Sequence, residues 1–285
     1  MNYRHAFHAG SFADVVKHAV VARILVHLAA KPQPFRVIDT HAGAGLYDLA
    51  GPQAQRTGEW RDGIGRLLAA DVVPEVRALL EPYLSTIAAH NAADALSTYP
   101  GSPLVSLALM RRQDRLVACE LEPQSAKALR RTLKTDVRAN AVTIDGWVAL
   151  NAYLPPPERR GVVIIDPPFE DKDEFTRLAD AAVRAYRKWP TGIFLLWYPI
   201  KDRGGPDALA RHLKRAGIAK ILRAELTVRP AGDPQRLNGT GLVIVNPPWK
   251  LEAELTIMLP ALASVLARSG RGGVRVNWLA GELTR

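Results

Sequence analysis

The residues best placed to do chemistry in this 285-residue chain are Asp166-Pro167-Pro168-Phe169, directly after the apolar run VVII. A buried strand of that kind delivers a carboxylate to the carboxyl edge of a sheet, and two prolines remove backbone donors and fix the direction of the turn. A carboxylate, proline carbonyls and the face of Phe169 then surround one small space. That space suits the exocyclic amino group of adenine, a poor nucleophile because its lone pair is delocalised into the ring. Acceptors at its two hydrogens, here Asp166 and the Pro167 carbonyl, favour the pyramidal geometry that frees the lone pair, while Phe169 stacks on the base. Such catalysis rests on orientation and electrostatics, with no covalent enzyme intermediate. A base within a helix must be flipped out to reach the pocket. A rigid strand exit is the simpler alternative for the same four residues.

Asn246-Pro247-Pro248-Trp249 offers a similar set of groups. Position separates the two. If the sheet ends in an antiparallel hairpin, GLVIV runs against the other strands and takes Asn246 to the far edge, so 246–249 reads as a structural turn.

Three further acidic positions share the edge expected for Asp166. Asp39-Thr-His-Ala-Gly43-Ala-Gly45 looks like a glycine-rich nucleotide loop. Its glycines permit positive φ and close backbone approach, and N–H groups at a following helix can meet a polar ligand; a tight strand exit is the alternative. His41 either lines the pocket or orients Asp39. Dinucleotide folds place an acidic residue about 20 residues after such a loop, yet Glu59 and Asp62 stand at no strand end. Glu120, closing RLVACEL, does so once 46–100 is treated as an insertion, and can accept from both ribose hydroxyls of an adenosine-bearing cofactor. Asp145-Gly146 ends the next strand, where Asp145 either contacts the adenine amino group or serves as a turn or cap residue. His5, His8, Lys17 and His18 form a polar set around an apolar helix, with Asp14 and His18 on one face. They are either buried and capping groups or a lid over the rest of the cofactor.

The elements that must position these residues follow from periodicity. Residues 12–30 repeat apolar positions at helical spacing, with Ser11 as cap and Asp14 three residues on. FRVIDT is a short strand. Residues 46–100 are helical around 63–70 and 74–90, contain no convincing strand, and read as a small helical insertion within a core of 1–45 and 101–285. Beyond it, strands at 115–121, VTIDG, 161–169, TGIFLLWYP, AKILRAELTV, TGLVIVNPP and VRVNWL alternate with helices at LVSLALM, 123–134, 174–188, 205–216 and 251–267. That alternation is an α/β pattern: a mostly parallel sheet covered on both faces, with ligands at a switch point in strand order.

Composition narrows the class. Hydrophobic residues at 48% and charged residues at 23% fit a globular chain, while a formal charge of +10 favours a polyanionic partner. The lone Cys119 forms no internal disulfide, lies in an apolar run, and offers little as a nucleophile; no Cys/His spacing suggests a metal. The N-terminus lacks a cleavable apolar leader and no stretch reaches membrane-spanning length, so a cytoplasmic protein is expected. Arg56, Arg61, Arg66, Arg111, Arg112, Arg115, Arg130, Arg131, Lys134, Arg138, Arg159 and Arg160 are either phosphate contacts or solvated helix faces. The insertion and N-terminal segment are expected to frame the entrance.

YRHAFHAG (3–10), ADVVKH (13–18), DTHAGAG (39–45), YPGSP (99–103), ACELEP, DG (145–146), IIDPPFE (164–170), LWYP (196–199) and NPPWKLE (246–252) span nearly the full chain. In these the chain resembles the bacterial 23S ribosomal RNA (adenine-2030-N6)-methyltransferases, the large-subunit methyltransferase J family. The resemblance implies a Rossmann-like class I S-adenosylmethionine-dependent methyltransferase with a small helical insertion, acting as a monomer on 23S rRNA while it is still protein-poor. It implies cofactor binding by His18, His41, Ser102, Glu120, Asp145 and Gly146, beside Lys17, Asp39, Gly43 and Gly45. Asp166 would engage the target amine, with Pro167, Pro168 and Phe169 completing the pocket, and Tyr3, Arg4 and His5 would close the site or meet substrate. Phe169 stands where the family often has Tyr, which removes a hydroxyl but keeps stacking, and Phe12 replaces a polar residue. A DNA adenine N6-methyltransferase is the nearest alternative. A nicotinamide enzyme gives Asp166-Pro-Pro-Phe169 no role, and a noncatalytic RNA-binding protein leaves the convergence of Glu120, Asp145 and Asp166 unexplained.

Overall fold

The computed structural model describes residues 4–93, 95–230, 235–267 and 272–281. The chain runs through α1 (Phe12–Ala29), β1 (Arg36–Asp39), β2 (Leu46–Asp48), α2 (Pro52–Thr57), α3 (Arg66–Ala69), α4 (Pro74–Ala89) and β3 (Thr98–Pro100). Then follow α5 (Ser102–Leu109), β4 (Arg115–Glu120), α6 (Pro123–Leu133), β5 (Ala139–Thr143), α7 (Gly146–Ala152) and β6 (Gly161–Ile165). The last part comprises α8 (Glu174–Lys188), β7 (Ile193–Ile200), α9 (Gly204–Arg215), β8 (Ile221–Thr227), β9 (Gly239–Val245), α10 (Leu251–Leu266) and β10 (Gly273–Ala280).

Eight strands form one sheet in the order β10-β8-β9-β7-β6-β1-β4-β5. From β7 through β5 all neighbours are parallel, whereas β9 runs antiparallel to both β7 and β8, and β10 antiparallel to β8. Strand order reverses at β1, which lies between β4 and β6. That is where a doubly wound sheet opens a crevice for a ligand. β6 is buried at every position, as a central strand covered on both faces must be. Alternate residues divide between the two faces: Val162 and Ile164 join the cluster under α1, α5 and α10, while Val163 and Ile165 join the one under α8 and α9. The expected α/β class and hairpin are present. Cys119 is fully buried in β4.

Three local expectations need correction. The segment 46–100 contains strands after all: β2 and β3 pair antiparallel, Leu46 opposite Pro100, and tie its two ends together. At three residues each they are too short to show an alternating pattern. The same segment shares the main core, since Leu80, Tyr83 and Ile87 pack in one cluster with Val16 and Val20. The glycine loop leads into β2, not a helix, so no helix N-terminus follows it. Asp145 does not end a strand either. β5 stops at Thr143, and Asp145 is the N-cap of α7, its Oδ1 accepting from Trp147 N at 2.7 Å and Val148 N at 3.1 Å.

Candidate active site

α1 is apolar on nearly every side and lies inside the molecule, against α4, α5, α10 and the sheet. Its polar residues Asp14, Lys17, His18 and Arg23 are therefore buried and need partners. Arg23 finds Glu254 on α10 through two hydrogen bonds of 2.9 and 2.7 Å. The other three build the floor of a cleft. Ser11 occupies the N-cap position of α1 but makes no side-chain cap bond; the Asp14 carboxylate takes the Gly10 N–H instead, at 3.0 Å. Asp14 also accepts from His5 Nε2 at 3.0 Å and pairs with Lys17 Nζ at 2.9 Å. Burial opposes its charge, but His5 and Lys17 hold the carboxyl well below the usual range.

Lys17, expected on the cofactor side, reaches the Asp166 carboxylate and ion-pairs with it. Burial opposes its charge too, but Asp14 and Asp166 outweigh it and hold the amine well above the ordinary lysine range. One ammonium thus bridges two carboxylates in a mostly dry site. It fixes Asp166 Oδ2 and leaves the other oxygen available.

His18 shares a 2.7 Å hydrogen bond with Tyr99, whose hydroxyl meets Tyr83 at 3.0 Å. Burial pushes His18 down to about 3, so the ring is neutral at pH 7. The unfolded chain takes up this proton near its ordinary value of about 6.5. Stability then falls with acid below about pH 6.5, by about 1.4 kcal/mol per pH unit, until the folded ring also protonates near 3. Urea midpoints from pH 7 to pH 4 should fall less steeply for His18→Gln than for the parent, by about one proton. Parallel acid limbs would show that His18 is not the group responsible.

Above this floor a cleft of about 1030 Å³, counted to its open mouth, follows the carboxyl edge of β4, β1 and β6. Its walls include His5, Lys17, His18, His41, Gly43, Ser102, Glu120, Asp145, Gly146, Asp166 and Pro168. Glu120 stands at the end of β4, where Oε2 accepts from Gly43 N at 2.9 Å and Oε1 from Glu122 N at 2.7 Å. Burial raises its carboxyl above the usual value. Each oxygen retains room for a second donor. Gly43, at φ 62°, has no space for a side chain, because a Cβ would lie 2.0 Å from the Tyr47 hydroxyl. Gly146 is equally tight: a Cβ would meet the Thr40 carbonyl at 2.4 Å. His41 lines the cleft, its Nδ1 2.8 Å from Thr40 Oγ1, and burial brings it down to about 4.

Other expected residues lie elsewhere. Asp39 is fully buried behind the wall, with Oδ1 accepting the His41 N–H at 3.3 Å and Oδ2 without a partner; burial pushes it up to about 6. It orients the loop and does not line the cleft. Gly45 closes that loop, its carbonyl accepting from Gly101 N at 2.8 Å, and is also off the wall. Pro167 is buried. Phe169, at φ 52°, packs edge-on against Phe175 at 4.8 Å and Trp197 at 5.7 Å, so Pro168 lines the cleft and the expected stacking face is turned into the protein. Arg4 is exposed and does not itself line the wall, though its charge acts on the wall residue Glu122, and Tyr3 lies outside the described residues.

The wall also holds residues that motif reading missed. Trp147 follows Gly146, with the Arg177 guanidinium 4.9 Å above its ring and 3.9 Å from Asp145 Oδ2. Tyr47 stacks obliquely on His5 at 5.0 Å. Glu174 is buried, with Oε1 unpartnered and its carboxyl raised by burial. Trp147 is signalled by its place one residue after Asp145-Gly146, and Arg177 and Glu174 by the first turn of the helix after the proline pair; nothing in the sequence marks Tyr47.

Asn246 ends β9 at the opposite edge, its Nδ2 donating to Pro190 O and Gly192 O at 2.8 Å each. Many of the arginines lie at that edge as well. Arg111, Arg112, Arg115, Arg159 and Arg160 flank the starts of β4 and β6, away from the cleft. Arg111 is taken up by Asp114 and the carbonyls of Lys31 and Gln33, and Arg160 by those of Leu28 and Gln33. They staple the fold and do not frame the entrance.

Among the described residues no His, Cys, Asp or Glu cluster could hold a metal, and no helix is long and apolar enough to cross a membrane. The cleft suits a nucleoside joined to an amino acid: Glu120 can accept from vicinal hydroxyls, with room beyond it toward Lys17 and Asp166. Residues 32–280 match the family model described as ribosomal RNA large subunit methyltransferase D, RlmJ. The chain is 41% identical to ribosomal RNA large subunit methyltransferase J of Escherichia coli (strain K12), covering 99% of this chain and all of that one. The same-named protein of Haemophilus influenzae is 38% identical, again over 99% of this chain and all of the relative. A crystal structure from Legionella pneumophila, protein LPL1258, superposes with a TM-score of 0.87 at 33% identity, covering 97% of this chain and 99% of that one. On these matches and the strand order, the chain belongs to the large-subunit methyltransferase J family of class I S-adenosylmethionine-dependent methyltransferases.

Proposed function

We propose that this protein methylates N6 of one adenine in 23S rRNA, the position numbered 2030 in the family, by direct transfer from S-adenosylmethionine. The observation that carries the reading is Asp166 at the carboxyl end of β6, in one cleft with Glu120 and Asp145, beside the prolines that follow it. The bound cofactor supplies an electrophilic methyl on a sulfonium. Glu120 would hold its ribose hydroxyls and Asp145, Gly146 and Trp147 its adenine, with Gly43, His41, Ser102 and His18 along the remaining wall.

The target amine would donate one hydrogen to Asp166 and the other to the Pro167 carbonyl. Lys17 keeps the carboxylate in place. That suits an acceptor: the amine nitrogen is oriented first and loses its proton after transfer. His5 would help close the site, and Phe169 must turn from Phe175 and Trp197 if it is to stack on the base. A monomer acting on protein-poor RNA, in the cytoplasm, completes the proposal.

Incubation with methyl-labelled S-adenosylmethionine and unmodified 23S RNA, with DNA in parallel, should label a single RNA position as N6-methyladenosine. Equal or better labelling of DNA would overturn the substrate assignment. Asn246→Ala should keep the transfer rate within a few-fold while costing about 1 kcal/mol in stability, because an exposed hydrogen bond to Pro190 O and a part-buried one to Gly192 O are lost. A selective loss of chemistry in a fully stable Asn246→Ala protein would move the active motif to 246–249.

A further inference from the structure

The cleft that would receive the target base is a poor place for a polyanion. Glu120, Glu122, Asp145, Asp166, Glu170, Asp171 and Glu174 all line it, against Lys17 and Arg177. With a formal charge of +10 over the whole chain, the compensating cations stand elsewhere. Those at the opposite edge are consumed by Asp114, Asp136 and backbone carbonyls.

A different set is unspent. A groove between α8 and α9 is lined by Arg184 and Arg187 on one bank and Arg211 and Arg215 on the other. All four are exposed, and among the described residues none of them has a side-chain hydrogen bond or ion pair. Asp180, the groove's acidic residue, is met across it by His212 at 3.1 Å. α8 is the helix that follows the Asp166 turn, and Arg177 in its first full turn stands at the cleft wall. Arg184 lies two turns further along, about 10 Å at 1.5 Å per residue. The basic track thus begins at the cleft wall beside Asp145 and Trp147 and descends one flank.

We infer that the α8–α9 groove holds sugar-phosphate backbone of the substrate RNA flanking the cleft, with Arg184, Arg187, Arg211 and Arg215 as phosphate contacts. The inference rests on the RNA substrate proposed above. Four planar guanidinium forks in a concave surface suit phosphate better than scattered lysines do. The contacts position the strand and read no sequence. A second unspent group on α6, Lys127, Arg131 and Lys134, follows Glu120 on the cofactor side of the cleft and is the natural control.

The test compares the full-length parent, Arg184→Ala/Arg211→Ala/Arg215→Ala and Lys127→Ala/Arg131→Ala/Lys134→Ala. It measures affinity for unmodified 23S RNA across a salt series, together with S-adenosylmethionine affinity. The groove variant should bind RNA at least about tenfold more weakly, with a salt slope shallower by about 2–3, since each phosphate contact contributes about 0.7–0.9 to it. Its cofactor affinity and its transfer rate at saturating RNA should match the parent. Unchanged RNA affinity and slope in the groove variant, or a larger loss in the α6 variant, overturns the groove. A parent that neither binds nor methylates 23S RNA overturns the RNA substrate itself, a separate outcome that the variants do not influence.

Discussion

Replacing Asp166 by alanine should lower methyl transfer on the order of 10²–10³-fold, the loss typical when one preorganised group at a reacting centre is removed. Affinity for S-adenosylmethionine should stay within a few-fold. The split follows from geometry. Asp166 stands at the end of β6, whereas the carboxylate expected on the ribose is Glu120 at the end of β4, on the other side of β1. Folding should survive, because Lys17 retains Asp14 as its counter-ion at 2.9 Å. Asp166→Asn should lose a comparable amount, since its single amide oxygen can accept from Lys17 or from the target amine but not from both. Single-turnover transfer with saturating cofactor and RNA, beside a calorimetric titration of the cofactor, separates the terms. Near-parental transfer by a folded, cofactor-binding Asp166→Ala protein would remove Asp166 from the chemistry.

Lys17 shows what motif reading could and could not reach. The position is conspicuous in sequence because it places an ammonium in an apolar helix, and its burial could be anticipated. Its partner could not: Asp166 is 149 residues away, and only strand order brings β6 beside the start of α1. The large features came from long, local signals. β6 is five apolar residues ending in Asp-Pro-Pro, and α8 is a periodic run whose bounds at 174–188 match the pattern. The Asn246 turn was also legible, because a hairpin topology dictates which edge its strand reaches.

What stayed hidden depended on short segments or on choices between equivalent conformations. β2 and β3 have three residues each, and their pairing is a property of the fold. Asp145 carried two readings, cap and ligand, and the structure realises the first while leaving Oδ2 facing Arg177. Phe169 illustrates the second kind of limit. Its ring can face the cleft or pack on Phe175 and Trp197, and apolar neighbours contributed by α8 and β7 draw it inward. The arginines at the starts of β4 and β6 show a third limit. Composition counts cations, but those at the starts of β4 and β6 are already engaged by internal acceptors.

The second large effect belongs to Glu120. Glu120→Ala should raise the dissociation constant for S-adenosylmethionine on the order of 10²-fold: two hydrogen bonds to a charged group contribute about 1.5–3 kcal/mol each, and 1.4 kcal/mol is tenfold. Part of that loss is indirect. The carboxylate also accepts from Gly43 N and Glu122 N, so alanine releases the glycine loop as well as the ribose. Glutamine is not a gentle replacement here. Its amide must present an NH₂ to one of those two backbone N–H groups, a donor facing a donor, so Glu120→Gln should still lose at least about tenfold. At saturating cofactor both variants should recover transfer far better than Asp166→Ala, because Glu120 meets no reacting atom. Equilibrium titration followed by saturated single-turnover assays tests the distinction. An unchanged dissociation constant in Glu120→Ala would place the ribose elsewhere, whereas a transfer defect that saturation does not relieve would assign Glu120 to the chemistry.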